Sequence, residues 1–376
     1  MKIHVCLVSA QAAANLLPAL DPQLKPDRVV LVVSGQMRKR AENLSAVMLE
    51  TGIRVEQCAL TDEHDYARTE SDLLELADRL AGEEILLNIT GGTKLMSVAA
   101  QSVAHAADWR MFYVDADTDR ISWLGKDAPP SRQIGEQLRL RHYLQSYGFS
   151  LLQPPARAGM TARQQALTNT LLRQIGSLEQ ALSQLNWLSQ IAEDKRGLSV
   201  QMTPQQADSR SLEALLRHFE EAGSLGVEFD TIRFPSETER AFVKGGWLEQ
   251  HVMQCIHQLT GEAGIRDKAA NLRVQDADGV ESELDVAFLA HNRLFVIECK
   301  TARMDKPESP KANDTLFKLA ENTRRVGGLS SRGMLVSYRA LRDSERKLAR
   351  ALNIECVCGA DINRLAERIK GWIRPH

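Results

Sequence analysis

The sequence predicts an α/β protein: a parallel, doubly wound sheet at the N-terminal end, a helical or winged-helix connector, and a mixed α/β sheet at the C-terminal end. Three observations predict it. Short apolar runs alternate with helix-length amphipathic stretches through residues 1–125. Leucines recur at helical spacing over residues 160–192. Beyond residue 235 a helical stretch leads into a strand hairpin and then into strand and helix units.

The N-terminal strands are expected at residues 3–8, 28–33, 55–60, 85–89 and 111–114, with a further strand at 121–124. They read as short, nearly continuous apolar strands alternating with helices, the pattern of a parallel sheet covered on both faces. Helices are expected between them at 12–20, 37–50, 66–81 and 96–107, with Leu73, Leu74, Leu76 and Leu80 inward in the third. In such a sheet a ligand sits beyond the carboxyl ends of the strands. In the connector, Leu167, Leu171, Leu172, Ile175, Leu178, Leu182 and Leu185 mark one or two helices. Residues 211–222 read as a helix on a Ser N-cap, and 227–234 as one strand. The leucine stripes favour a helical connector over a winged helix, because such stripes are usually core. The last unit reads as helices at 241–259, 315–326, 344–352 and 362–372, with strands at 333–337 and 354–357 around the hairpin. The expected units are therefore 1–130, 131–235 and 236–376.

Bulk composition excludes several classes. Of 376 residues, 43% are hydrophobic and 26% charged, which is globular rather than disordered. The net charge of −2 leaves any nucleic-acid contact to a local patch. The six cysteines are scattered without a CxxC pair, so neither a zinc site nor a disulfide framework is expected. No apolar run approaches the ~20 residues of a membrane span, and the first residues lack a signal-peptide layout. A cytoplasmic protein without a membrane partner is the expectation.

The segment from Glu283 to Lys300 carries the chemistry. Leu284, Val286 and Phe288 alternate with Asp285 and Ala287, while Phe295, Ile297 and Cys299 alternate with Val296, Glu298 and Lys300. A two-residue turn at His291-Asn292 sets a register that puts Asp285 opposite Glu298, with Lys300 following on the same face. Facing carboxylates repel unless a cation intervenes, and Mg²⁺ or Mn²⁺ prefers such hard oxygen ligands. Asp285 and Glu298 are the candidate metal ligands and Glu249, on the preceding helix, is a third. Cys299 offers its backbone carbonyl, since its side chain points to the other face. Lys300 suits the orientation of a water or the offset of phosphate charge. A solvated Glu-x-Lys edge would be the bland explanation, but paired carboxylates on a partly apolar face fit it poorly.

A second constellation lies in the N-terminal half. Thr90-Gly-Gly-Thr-Lys94 follows a strand and opens a helix. Its glycines allow close backbone approach, and the helix N-terminus with Lys94 favours phosphate. The GxxxxGK[ST] pattern is not met. Ser9-Ala-Gln11 with Asn15, and Ser34-Gly-Gln36 with Arg38, Lys39 and Arg40, occupy the ends of the first two strands. None offers an obvious catalytic base, which points to binding of a phosphate-bearing ligand.

The C-terminal pattern Asp-x12-Glu-x-Lys, with Gly245-Gly-Trp-Leu-Glu249 upstream, resembles the PD-(D/E)XK nuclease superfamily. The resemblance makes Asp285, Glu298, Lys300 and Glu249 catalytic, and suggests Lys318 as an extra polar residue. The N-terminal half, through Val8-Ser-Ala-Gln11 and Asn88-Ile-Thr-Gly-Gly-Thr-Lys-Leu-Met96, resembles a CARF domain, the Rossmann-like sensor of cyclic oligoadenylates. Together the two ends are similar to the CARF nucleases of type III CRISPR systems. That resemblance implies a homodimer around one cyclic tetra-adenylate and metal-dependent cleavage of DNA, RNA or both. It implies an activator site lined by Ser9, Gln11, Asn15, Gly91, Gly92, Thr93, Lys94 and Met96. Arg303, Lys306, Lys311, Arg324 and Arg325 are candidate phosphate contacts, and residues 302–314 a substrate loop. The rival readings are a ligand-sensing regulator that binds nucleic acid without cutting, which a winged helix would favour, and an enzyme of nucleotide metabolism.

Overall fold

The computed structural model describes residues 1–376 except 116–117, 136–137, 154–158, 263, 302–304, 307–308 and 375–376. The first unit is β1 (Lys2–Leu7), α1 (Ala13–Leu20), β2 (Arg28–Val33), α2 (Arg38–Glu50), β3 (Arg54–Ala59), α3 (Tyr66–Arg79), β4 (Glu84–Asn88), α4 (Lys94–Ala106), β5 (Arg110–Asp115), β6 (Arg120–Leu124) and β7 (Arg132–Gln133). Its sheet has the order β3-β2-β1-β4-β5-β6-β7. The first five strands run parallel and the last two antiparallel. Strand order reverses between β1 and β4, and the crevice at that reversal is where such sheets receive ligands. Ile3, Val5 and Leu7 of β1 pack on one face against α3 and α4, and Cys6 packs on the other, in the core that holds the apolar residues of α1 and α2. Leu73, Leu76 and Leu80 are buried as expected, but Leu74 is 45% exposed, because its place beside Leu73 turns it off the stripe that the other three share.

His4 is buried edge-on to Phe112 at 5.6 Å. Burial, reinforced by the Lys2 charge, pushes its pKa down to about 3. The unfolded chain therefore takes up a proton below pH ~6.5 that the folded chain refuses, so stability falls as pH drops. His4→Leu is expected to remove on the order of 2 kcal/mol of the stability lost between pH 7 and pH 5. Urea melts at the two pH values check this, and an unchanged pH slope would contradict it.

The middle of the chain comprises α5 (Leu140–Ser146), β8 (Ser150–Leu151), α6 (Ala162–Arg173), α7 (Glu179–Asp194), β9 (Ser199–Gln201), α8 (Pro204–Ala207), α9 (Arg210–Glu221), β10 (Gly226–Glu228) and β11 (Thr231–Arg233). From α7 onward the order is helix, strand, two helices and two strands, with the antiparallel sheet β10-β11-β9. That is the order of a winged helix, so the leucine stripes are core without being a plain connector. The single strand expected at 227–234 is a hairpin, because Phe229 takes a left-handed φ of 56° and turns the chain back. The cap of α9 is Ser209 rather than Ser211: its side chain accepts the Leu212 N–H at 3.5 Å.

The last unit is α10 (Glu237–Ala241), a π-turn at Phe242–Gly246, α11 (Trp247–Leu259), β12 (Ile265–Gln275), β13 (Glu281–Ala290), β14 (Arg293–Lys300), the short β15 (Asp305–Lys306) and β16 (Ser309–Pro310), α12 (Lys311–Gly327), β17 (Arg332–Ser337), α13 (Asp343–Ala351), β18 (Ile354–Cys358) and α14 (Leu365–Trp372). Its mixed sheet has the order β18-β17-β14-β13-β12-β8. Strand β8 comes from the linker and joins this sheet through Val274↔Leu151. Strand β12 was not expected from the sequence. Arg266, Asp267 and Lys268 interrupt its apolar pattern, and Ala270 and Leu272 pack into different cores despite being two residues apart.

The sensor-like and C-terminal sheets share one core. An apolar cluster runs from Cys6 and Val29 through Tyr143 and Tyr147 to Leu294 and Val296. At the hairpin turn, His291 and Asn292 have φ of 49° and 53°, the left-handed pair that a type I′ turn requires. Asn292 is buried there, donating to Asp119 Oδ1 at 2.6 Å and accepting the Leu138 N–H at 3.1 Å. The hairpin whose far end holds Asp285 and Glu298 is thus docked by its turn into the first unit.

Candidate active site and ligand crevice

The β13–β14 ladder runs in the expected register from Ala290↔Arg293 to Val286↔Ile297. There the backbone pairing ends, and the Cys299 N–H donates instead to Asp285 Oδ2 at 2.8 Å. The Lys300 ammonium lies 4.0 Å from Asp285 Oδ2 and forms an ion pair with Glu298 Oε1. Both carboxylates therefore fall within reach of one cation. The side chains of Asp285, Glu298 and Lys300 are 16%, 24% and 34% exposed, so water screens them only partly. Burial, and then the Glu298 charge, push the Asp285 carboxyl up to about 8 against the opposing pull of Lys300. Burial works against the Lys300 ammonium, but Glu298 and Asp285 outweigh it and hold the pKa above the ordinary lysine value. Burial, then Glu283, raises Glu249.

Local backbone irregularities build this spot. Leu284 packs in the same core as Ala287 and Leu289, whereas Val286 and Phe288 pack in the other. The expectation that Leu284, Val286 and Phe288 share one face is therefore corrected: the alternation breaks at Asp285. Asn271, next to Asp285's neighbours in the β12–β13 pairing, has a left-handed φ of 51°, which bends the pair at this point. On the other side, the π-turn carries Gly245 at φ 155°, and a Cβ there would stand 2.8 Å from Thr301 Oγ1. A side chain at 245 would hold α11 off the end of β14, and with it Glu249 off Lys300. Trp247 is buried edge-on to Tyr338 at 5.7 Å, and the Tyr338 N–H donates to the Lys300 carbonyl at 2.9 Å.

Glu249, Asn271, Glu283, Asp285, Lys300 and Thr301 line one cleft of about 1060 Å³. Glu298 meets it through Lys300. The Cys299 thiol is buried with its pKa raised well above the ordinary value, first by burial, so its backbone is the part available to a ligand. Among the described residues no group of three or more His, Cys, Asp or Glu stands ready to hold a metal ion by itself. Asn271, Glu283, Lys244 and Thr301 line the cleft without having been expected, although Glu283 was legible as the residue two before Asp285. Lys318 is exposed and does not line the cleft. Arg325 is committed to Asp276 at 2.7 Å, and Arg324 lines a separate hollow with Phe317 and Leu329. Arg303 lies outside the described residues, as do the side chains of Lys306 and Lys311 and the first part of the expected substrate loop.

In the N-terminal crevice Gly91 packs directly on β1: a Cβ there would stand 2.0 Å from the Leu7 carbonyl oxygen. Gly92 has φ of 75°, which favours glycine. Thr93 caps α4, accepting the Met96 N–H at 3.1 Å, and Thr93 and Lys94 are exposed at that helix start. Ser9 is half-buried, accepting the Gln11 N–H at 3.4 Å, and Gln11 is exposed. Two expected lining residues are placed differently. Asn15 is fully buried, donating to the Leu7 carbonyl at 3.1 Å and accepting from Asn88 at 3.0 Å. Met96 is buried beneath Gly92. Both support the loops from behind, because a side chain one turn into a helix points back to the sheet. Arg40 also leaves the basic run, donating to the Ser146 carbonyl at 2.7 Å and lying over Tyr147 at 4.3 Å.

Residues 3–143 match the family model described as the Card1 CARF domain, and residues 236–376 match the Card1-like endonuclease domain. The chain belongs to the CARF-domain nucleases. Among solved structures, this CARF-domain nuclease resembles protein VC1899 from Vibrio cholerae at 26% identity and a TM-score of 0.87, covering 99% of this chain and 98% of that one. It resembles Can2 from Sulfobacillus thermosulfidooxidans, solved in complex with cyclic tetra-adenylate, at 25% identity and a TM-score of 0.82, covering each chain completely (100% and 100%). A type III CRISPR defence DNA nuclease activated by cyclic oligoadenylate shares the fold at 20% identity and a TM-score of 0.58, with 90% of this chain aligned to 45% of that one. No curated protein sequence matches the chain.

Proposed function

We propose that the chain is a homodimeric nuclease of type III CRISPR defence, acting in the cytoplasm. Cyclic tetra-adenylate switches it on, and it cuts DNA, RNA or both at a PD-(D/E)XK site. The observation that carries this is the meeting of Asp285 and Glu298 at one ammonium, Lys300, in a cleft that Glu249 also lines. Residues 1–130 form the sensor, 131–235 the connector and 236–376 the nuclease unit. The Can2 complex supports the choice of activator. Among the described residues no helix is long and apolar enough to cross a membrane.

The donors, carboxylate oxygens and a backbone carbonyl, are the type a hard divalent cation takes. Asp285 is driven toward its protonated form by burial and by Glu298, so the site is short of positive charge. Mn²⁺ or Mg²⁺ bound to Asp285, Glu298, Glu249 and the Cys299 carbonyl would polarise a phosphodiester and acidify a water. The chain supplies the rest. The Cys299 N–H holds one Asp285 oxygen, fixing the carboxylate's orientation. Lys300 is held charged, ready to offset negative charge on the scissile phosphate. In the sensor, Ser9, Gln11, Gly91, Gly92, Thr93 and Lys94 meet the activator, with Asn15 and Met96 behind them. The shared core and the Asn292–Asp119 contact join sensor movement to the hairpin.

The winged-helix order favours one second reading, a ligand-responsive nucleic-acid binder that does not cut. One experiment separates the two: plasmid and single-strand cleavage with and without Mn²⁺ and cyclic tetra-adenylate. Cleavage that needs both supports the proposal. Binding without cleavage under every condition would select the regulator.

A further inference from the structure

One stripe of α7 faces the active-site cleft: Ser183, Asn186, Trp187, Gln190 and Glu193 all line it together with Glu249 and Asp285. Asn186 pins this helix to the catalytic strand, because its buried amide donates to Thr301 Oγ1 at 2.9 Å, directly after Lys300. The next residue, Trp187, is 55% exposed, while Leu182, Leu185 and Leu188 of the same helix are fully buried. The indole also borders a second hollow with Gln180, Gln184 and Gln206, so it stands on the ridge between two polar recesses. Core packing does not account for a large exposed ring among amides and carboxylates.

Charge does not make this wall a phosphate track either. Lys244, the basic residue of the cleft nearest to α7 in contacts, is bound to Glu193 and to Gln190 at 3.2 Å. What the wall offers a polynucleotide is a flat aromatic face, and every base has a π-face to match it. We propose that Trp187 is a stacking platform for one unpaired base of the substrate, holding a single strand or a locally melted duplex at a fixed distance from the scissile phosphate. The inference rests on the nuclease reading and adds to it the residue that grips a base.

The test is a cycle between the indole and the base. Oligodeoxythymidine strands carrying one abasic site, moved along the strand, are cleaved with Mn²⁺ and cyclic tetra-adenylate by the full chain and by Trp187→Ala and Trp187→Phe. Trp187→Ala is expected to raise KM for the intact strand about tenfold or more, and Trp187→Phe to restore most of it. One abasic position is expected to penalise the full chain by a similar factor and to leave Trp187→Ala no worse. A positional penalty that persists in Trp187→Ala, or an unchanged KM, would overturn the platform. Failure of the full chain to cut either oligodeoxythymidine or the matching oligouridine would sink the nuclease reading separately. The platform is then read from quenching of tryptophan fluorescence by oligodeoxythymidine in EDTA. Quenching lost in Trp187→Ala supports it, and equal quenching rejects it.

Discussion

Asp285→Asn is expected to abolish cleavage and, in the same protein, to raise the stability of the metal-free state. The two effects share one cause. Asp285 is a partly buried carboxylate facing Glu298, and the folded state disfavours its charge enough to push its pKa up to about 8. Asparagine removes the charge but keeps an oxygen to accept the Cys299 N–H. The metal-free protein should gain on the order of 1–3 kcal/mol, the scale on which uncompensated buried charge costs stability. Loss of a metal ligand should cost several kcal/mol of transition-state stabilisation, a fall of roughly a thousandfold or more in rate. Glu298→Ala should lose activity to a similar extent but lose stability too, since it strips Lys300 of its closer partner. Thermal melts in EDTA and single-turnover cleavage check both. An Asp285→Asn protein that cuts at the normal rate would remove this residue from catalysis. One that is inactive and less stable would contradict the charge-crowding account.

Gly91→Ala is the second large effect, and it acts through the sensor. The added methyl would lie 2.0 Å from a backbone oxygen of β1, where no side chain can move aside. Either the loop shifts away from β1 or the strand end is displaced. A cost of about 3 kcal/mol is expected, the upper part of the range for overpacking, together with loss of cyclic tetra-adenylate binding. Lys94→Ala provides the contrast. Lys94 is exposed at the start of α4, so its removal should change stability by under ~0.5 kcal/mol. It should nevertheless weaken activator binding roughly tenfold or more, the worth of a charge-assisted hydrogen bond. Thermal shift with increasing cyclic tetra-adenylate separates the two variants. If Gly91→Ala melts and responds like the parent, the crevice does not lie at the β1/β4 reversal.

The parallel sheet was legible because its central strands β1, β2 and β4 are nearly unbroken apolar runs buried on both faces, while the edge strand β3 carries Glu56 and Gln57 and buries no residue. The hairpin was legible for a different reason. A two-residue turn leaves only one register, so the neighbours of Glu298 follow from counting. Strand β12 was hidden because Asn271 turns its pleat over, so neither parity of its residues stays on one face. The same break moved Leu284 to the other core. The wing at Phe229 was hidden because a bulky residue at positive φ is a turn signal that composition does not carry. In the site, Asp285, Glu298 and Lys300 are joined by local geometry, and Glu249 follows from the helix before them. Asn186 and Trp187 arrive by tertiary packing from a helix more than sixty residues before Glu249, beyond the reach of any local pattern, whereas Lys244 adjoins the Gly245–Glu249 stretch and was simply not singled out. Asn15 and Met96 show the opposite error. Met96 closes one family motif and Asn15 follows the other, yet their side chains serve the loop's foundation rather than its surface.

The most direct test of the hydrolytic account is anomalous scattering from crystals soaked in Mn²⁺. The account predicts a single strong peak beside Asp285 and Glu298, within bonding distance of the Cys299 carbonyl, and its loss in Asp285→Asn. Soaked crystals with no peak there, and with Lys300 still bridging both carboxylates, would contradict it.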